Sequence, residues 1–315
     1  MLSRVADSLY WLSRYLERAE HTARLTSVYF DLILDQSSQL QQERYQLLLE
    51  NLNMPVEPDA IFEPDETLKL IVQDENNGNS IASCVMQARE NARQVRERLS
   101  SETWTHINQL YLLMQRPYRQ WRGQPQVYMH QLIQQIHLIN GISHATMNHD
   151  EGWQFMQLGN YLERAMSVLR LMSTQYLAIN GRSPNREDYL DWIALLKSCT
   201  AFEAYCNVYT ADLVPTHIAE FLLLNAEFPH SLHFSVNMMR NSLAQIGQIT
   251  KSHRNQQLNR KVGRLQSSLQ FSQIDEITDA GLAKFLQDIE AQCLDIHDAV
   301  YQVYISFPVA EELPV

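Results

Sequence analysis

Glycine is scarce in this 315-residue chain, at 9 residues against a usual share of about 7%. Sheets and their tight turns lean on glycine for positive φ, so the shortage argues against most β architectures. The four cysteines, Cys84, Cys199, Cys206 and Cys293, include no Cys-x-x-Cys pair. That removes the common zinc and thiol-redox spacings and leaves buried thiols of a reducing compartment as the expectation. Basic residues are in deficit: 25 Lys and Arg against 36 Asp and Glu give a formal charge of −11. Such a surface repels phosphate backbones and anionic lipid, so neither nucleic acid nor a membrane is an expected partner. No apolar run of about 18 residues occurs. The opening MLSRVADSLYWLSRYLERAE carries charges every few residues and lacks the apolar core of a signal peptide, which points to the cytoplasm. The phosphate-cradling GxxxxGK(S/T) and GxGxxG, the GxSxG elbow and the HExxH zinc motif are all missing. No cofactor and no metal are expected.

What the chain does contain is helical periodicity. Leu2, Val5, Leu9, Leu12, Leu16, Ala19, Ala23, Thr26, Phe30 and Ile33 alternate steps of three and four, the seam of one long helix running nearly to Asp35. The seam recurs 146 positions later as Phe155, Leu158, Leu162, Ala165, Leu169, Met172, Tyr176 and Ile179. Over residues 7 to 33 this offset gives ten identities, among them the unbroken Tyr15-Leu16-Glu17-Arg18-Ala19 against Tyr161-Leu162-Glu163-Arg164-Ala165. A weaker echo at an offset of 151 aligns Ser80, Val85, Arg89 and Gln94 with Ser231, Val236, Arg240 and Gln245. The expected architecture is therefore all-α, a bundle of long helices with internal pseudo-twofold duplication, in one domain with pseudo-repeats 1–148 and 149–315. A helix is expected over 80 to 99, another after Ser183-Pro184, and a last seam from Leu282 to Phe307. Loops are expected at Asn53 to Pro64, Asn76 to Asn79 and Arg116 to Pro125.

The residues that could carry chemistry sit where the repeat is strongest. Adjacent residues on a helix lie about 100° apart, so Glu17 and Arg18, like Glu163 and Arg164, flank the seam on opposite sides and reach toward packed neighbours. Arg89, Arg93 and Arg96 form a stripe near Glu90 and Asn91, and a stripe of like charges requires partners. Two readings follow. In one, a structural ion-pair network ties the pseudo-repeats together, with Arg89 or Arg93 among the arginines holding Glu17 and Glu163. In the other, surplus arginine binds a carboxylate or phosphate. A di-iron bundle would need a Glu-x-x-His on each of two helices, and the single match, Glu227 to His230, contains Pro229. His130, His137 and His144 recur every seven residues, roughly 10 Å apart along a helix, and read as surface or interface histidines. Asp31/Asp35 and Asp275/Asp279 have the Asp-x-x-x-Asp spacing of isoprenoid synthases, a spacing that fifteen aspartates produce by chance.

The segments LSRVADSLYWLSRYLERAEHTARL, SIASCVMQARENARQVRERLSSETW and TMNHDEGWQFMQLGNYLERA, in this order, resemble the alpha-E family of bacterial helical proteins named for a Glu-Arg motif. The resemblance spans nearly the whole chain. It implies that Glu17, Arg18, Arg89, Glu90, Asn91, Arg93, Trp104, Trp153, Glu163 and Arg164 are the positions to watch. It also implies a setting beside a circularly permuted ATP-grasp protein and a transglutaminase-like protein, as an accessory or partner in making or modifying peptides. The alternative within that setting is an enzyme that binds an anionic peptide or phosphorylated intermediate at the Glu/Arg cluster. One departure stands out: where the family commonly has a basic residue after the glycine of its second Glu-Arg segment, Gly159 here precedes Asn160.

Overall fold

The computed structural model describes residues 3–33, 37–56, 60–180, 186–250 and 256–305. Among them every regular element is helical, and no helix is long and apolar enough to cross a membrane. In chain order the first helices are α1 (Ser3–Ile33), α2 (Ser38–Asn51), α3 (Pro64–Gln73), α4 (Ile81–Gln94), α5 (Ser101–Met114), the single turn α6 (Tyr118–Trp121) and α7 (Pro125–Thr146). There follow α8 (Glu151–Leu171), α9 (Leu177–Asn180), α10 (Arg186–Ser198), α11 (Phe202–Tyr209) and α12 (Pro215–Leu224). The last are α13 (Leu232–Thr250), α14 (Gln256–Phe271), α15 (Ile274–Ala280) and α16 (Leu282–Val300).

The two long helices with the shared seam form the centre. α1 buries residues all around its circumference, from Ala6, Leu9 and Leu16 on its apolar seam to Ser8, Glu17 and Thr22 elsewhere. A helix buried on every side is enclosed by others rather than lying on a surface. Its principal neighbours are α8, α4 and α7; those of α8 are α1, α13 and α16. α5 closes over α4 and α7, as α14 closes over α13 and α16. The supporting helices also start alike. The Ser80 hydroxyl accepts from the backbone N–H of Ser83 at 3.1 Å, and the Ser231 hydroxyl accepts from that of Phe234 at 3.0 Å. One side chain caps each helix and satisfies one of its orphan donors. Asp150 does the same for α8, accepting from Gly152 N at 2.9 Å, and its carboxylate is tied to Arg98 at 2.8 Å.

Several expected boundaries move. α4 stops at Gln94, where Val95 leaves helical geometry at φ −124° and ψ 28°, and Arg96–Arg98 form a separate 3-10 turn. The arginine stripe is thereby broken, because Arg96 no longer continues the face of Arg89 and Arg93. The second long helix is interrupted by a π turn over Met172–Tyr176, and the final seam passes into another at Tyr301–Ile305. Asp35, Ser183-Pro184 and Phe307 lie outside the described residues. Cys84, Cys199 and Cys293 are buried free thiols, and burial pushes each up to about 12.

Candidate functional site

α1 and α8 cross at Ser13 and Gly159. A Cβ on Gly159 would stand 2.3 Å from the backbone oxygen of Tyr10 and 2.6 Å from Ser13 Oγ, so only glycine permits this approach. One turn further along each helix, Glu17 and Glu163 are held between the two backbones, 3% and 6% exposed. Buried carboxylates need cations or donors, since an unpaired charge in the interior is prohibitively costly. Each helix supplies the partner for the other. Arg18 Nε donates to Glu163 Oε1 and Arg14 Nε to Glu163 Oε2, both at 2.7 Å. Arg164 grips Glu17 with two parallel bonds, from Nε to Oε1 at 2.6 Å and from Nη2 to Oε2 at 2.9 Å. The outer nitrogens continue the net: Arg18 Nη1 reaches Asn79 Oδ1 and Arg164 Nη1 reaches the Pro229 carbonyl, each at 3.2 Å.

The two carboxylates are not equivalent. Burial would raise Glu163, but the guanidiniums of Arg14 and Arg18 outweigh it and hold the group at about 2. At Glu17 burial wins over the single Arg164, and the carboxyl lies above the usual range. The negative charges of Glu20 and Glu163 add to the rise, and no second guanidinium opposes it, since Asn160 occupies the position that matches Arg14 under the 146-residue offset. Arg14 itself is braced by aromatic groups, 4.6 Å over the Trp11 ring, with Nη1 3.2 Å from His297 Nδ1, while the Tyr10 hydroxyl lies 2.8 Å from the same nitrogen.

A second set of groups adjoins Glu17. Glu20, one turn on, is buried. It is paired with Arg24 and lies 3.3 Å from His137 Nε2 of α7. Burial is outweighed there by His137 and Arg24, which lower the carboxyl. Desolvation lowers His21 to about 4 and His230 well below its ordinary value, so both are neutral at pH 7. Glu17, Glu20, His21, Arg164, Ser198, Cys199 and His230 enclose a space of about 10 Å³ for the centre of a water molecule, room for about one water. No group of His, Cys, Asp and Glu among the described residues is arranged to hold a metal ion.

Of the expected cluster, Glu17, Arg18, Glu163 and Arg164 come together, and the α4 residues do not join them. Arg89 faces α5, donating to Asn108 Oδ1 at 2.9 Å with its guanidinium 4.4 Å over the Tyr111 ring. Arg96 lies over Trp104 at 5.4 Å. Arg93 pairs with Glu90 at 2.6 Å within its own helix, and Asn91 returns to the Gln87 carbonyl. The aromatic face of α5 and the local carboxylate satisfy the stripe, so no surplus arginine is left for Glu17 or Glu163. Arg14, Glu20 and His297 were missed. Arg14 and Glu20 carried a signal, since each stands three residues from Glu17 on the same helix; His297 carried none. His130, His137 and His144 are exposed on α7, with His137 alone reaching into the network. Asp275 and Asp279 are exposed on α15, and Trp153 stacks on His149 at 3.9 Å.

Residues 1–305 match the family Alpha-E, described as a predicted alpha-helical domain with a conserved ER motif. The chain belongs to the Alpha-E family. It contains four Glu-Arg steps, at 17–18, 43–44, 97–98 and 163–164. In this Alpha-E domain only the first and last face each other across the central helix pair. Similar proteins include an uncharacterised protein of Mycobacterium bovis and two of Mycobacterium tuberculosis strains, each 23% identical over 97% of this chain. The chain spans 37% of the length of these relatives. No solved structure matches it.

Proposed function

We propose that this Alpha-E chain is an accessory or partner protein of a peptide-synthesising or peptide-modifying system, working with a circularly permuted ATP-grasp protein and a transglutaminase-like protein. The observation that supports this reading is the mutual engagement of the two Glu-Arg steps. Glu163 is fully occupied by Arg14 and Arg18, Glu17 is clasped by Arg164, and the enclosed space beside them holds about one water. Mutual engagement of this kind is suited to locking two halves of a duplicated frame in register, which is the use of buried ion pairs that is best attested. Duplication is part of the proposal: α4 and α13 pack alike on α1 and α8, and Arg89 and Arg240 each donate to an amide side chain of the next helix, Asn108 and Gln266.

The second reading, an enzyme of the same pathway, is favoured by one feature. Glu17 and Glu163 are pushed in opposite directions, a pattern that separates acid from base in catalytic pairs. Purification of the chain alone and with the proposed ATP-grasp partner, followed by measurement of ATP turnover and peptide products, distinguishes the two. An accessory changes the ligase's rate or product and has no turnover alone. Ligation by the isolated chain, or an identical rate and product with and without it, refutes the accessory reading.

A further inference from the structure

One face of the α1–α8 pair is filled by side chains while the matching face is open. On the filled face Trp11 and Arg14 rise from α1 beside His297 of α16, and Arg14 reaches inward to Glu163. Under the 146-residue offset Gln157 stands where Trp11 would, and Asn160 where Arg14 would. Both replacements are shorter and uncharged. The space they leave is a half-open notch of about 200 Å³, walled by α7, α8 and Ser13 of α1.

The lining of this notch is mostly polar, with Met156 its one aliphatic side chain. Asn140, Gln157 and Asn160 contribute three carboxamides, Tyr161 a phenol, and His144 and Arg164 the groups able to carry positive charge. No carboxylate lines it, in a chain with 36 acidic residues. Arg164 places Nε and Nη2 on Glu17 and Nη1 on the Pro229 carbonyl. A guanidinium has five N–H groups, so two remain. A cation would find no counter-charge here, and an apolar ligand would strand the carboxamides without partners.

We propose that the notch is a binding site for an organic carboxylate that carries a neighbouring amide. Arg164 and His144 take the carboxylate, and the carboxamides of Asn140, Gln157 and Asn160 pair with the amide. The site exists because the arginine and tryptophan that plug its counterpart are absent from the second copy of the motif.

Calorimetric titration of the full chain with N-acetylglycine, and with N-acetylglycinamide as the uncharged control, tests this. The acid binds at millimolar concentration or tighter, and the amide binds at least about tenfold more weakly. Asn160→Arg fills the notch as Arg14 fills its counterpart, and abolishes binding while the thermal midpoint reports that the chain is folded. Asn140→Asp, on the exposed side of α7, places a negative charge at the rim and weakens the acid at least about tenfold. Should Asn160→Arg fail to fold, Asn140→Asp decides. Absence of binding to the natural chain, equal affinity for the two probes, or full affinity in a folded variant overturns the proposal.

Discussion

Replacing Glu163 with glutamine keeps the side chain's shape and one acceptor but removes the anion that two guanidiniums share. The buried Arg14 and the half-buried Arg18 are then left as neighbouring cations without their anion. The carboxyl is lowered from 4.5 to about 2 in the folded chain, and at about 1.4 kcal/mol per pKa unit its ionised form contributes roughly 3 kcal/mol of stability. Breaking a buried pair by removing one partner costs about 3–5 kcal/mol, which agrees. With an unfolding entropy of about 2.1 cal/mol/K per residue, this chain loses about 5 °C of thermal midpoint. Because the folded pKa is the lower one, the contribution is complete above the unfolded value of 4.5 and disappears as pH falls toward about 2. Guanidinium unfolding of the natural chain and of Glu163→Gln between pH 7 and pH 3 measures both. The gap should be roughly 3 kcal/mol at neutral pH and less than half of that by about pH 3. A midpoint unchanged at pH 7, or a gap that stays constant into acid, refutes the view that Glu163 is a buried anion held by two arginines.

Glu17→Gln leaves the largely buried Arg164 without its anion and should cost about 3–5 kcal/mol at pH 7, but its pH dependence should differ from that of Glu163→Gln, because burial disfavours the ionised form of Glu17. The folded pKa is here the higher one, so the stability of the natural chain relative to Glu17→Gln falls as pH rises past 4.5; denaturant midpoints that show the opposite slope contradict this. Gly159→Ala should destabilise by about 2 kcal/mol or more, since its Cβ would meet the Tyr10 carbonyl and the helices must separate. Gly263→Ala on α14, where nothing lies within 4 Å, should instead stabilise by about 0.5–1 kcal/mol; thermal melts of both variants check the contrast.

Periodicity and repetition made the central helix pair and the importance of Glu17, Arg18, Glu163 and Arg164 legible without coordinates. A seam of threes and fours can be read directly, because the side chains that share a helix face are set by local geometry alone. Asn160 was visible as a departure from the family's pattern, in which a basic residue commonly follows that glycine. Which arginine meets which carboxylate was not visible. Arg89 and Arg93 had the right charge near the right motif, yet the end of α4 at Gln94, the aromatic face of α5 and the local Glu90 take them elsewhere. Arg14 reaches Glu163 across 149 residues of sequence, and His297 meets Tyr10 across 287. Spacing along a chain carries information only over a few turns of helix, whereas burial and charge pairing depend on which elements come to lie side by side. The sequence by itself determined the all-helical class, the central helix pair with its repeated motif, and the residues at its centre. The tertiary structure alone decided that one carboxylate is held by two arginines and the other by one, and where that difference leaves an open notch.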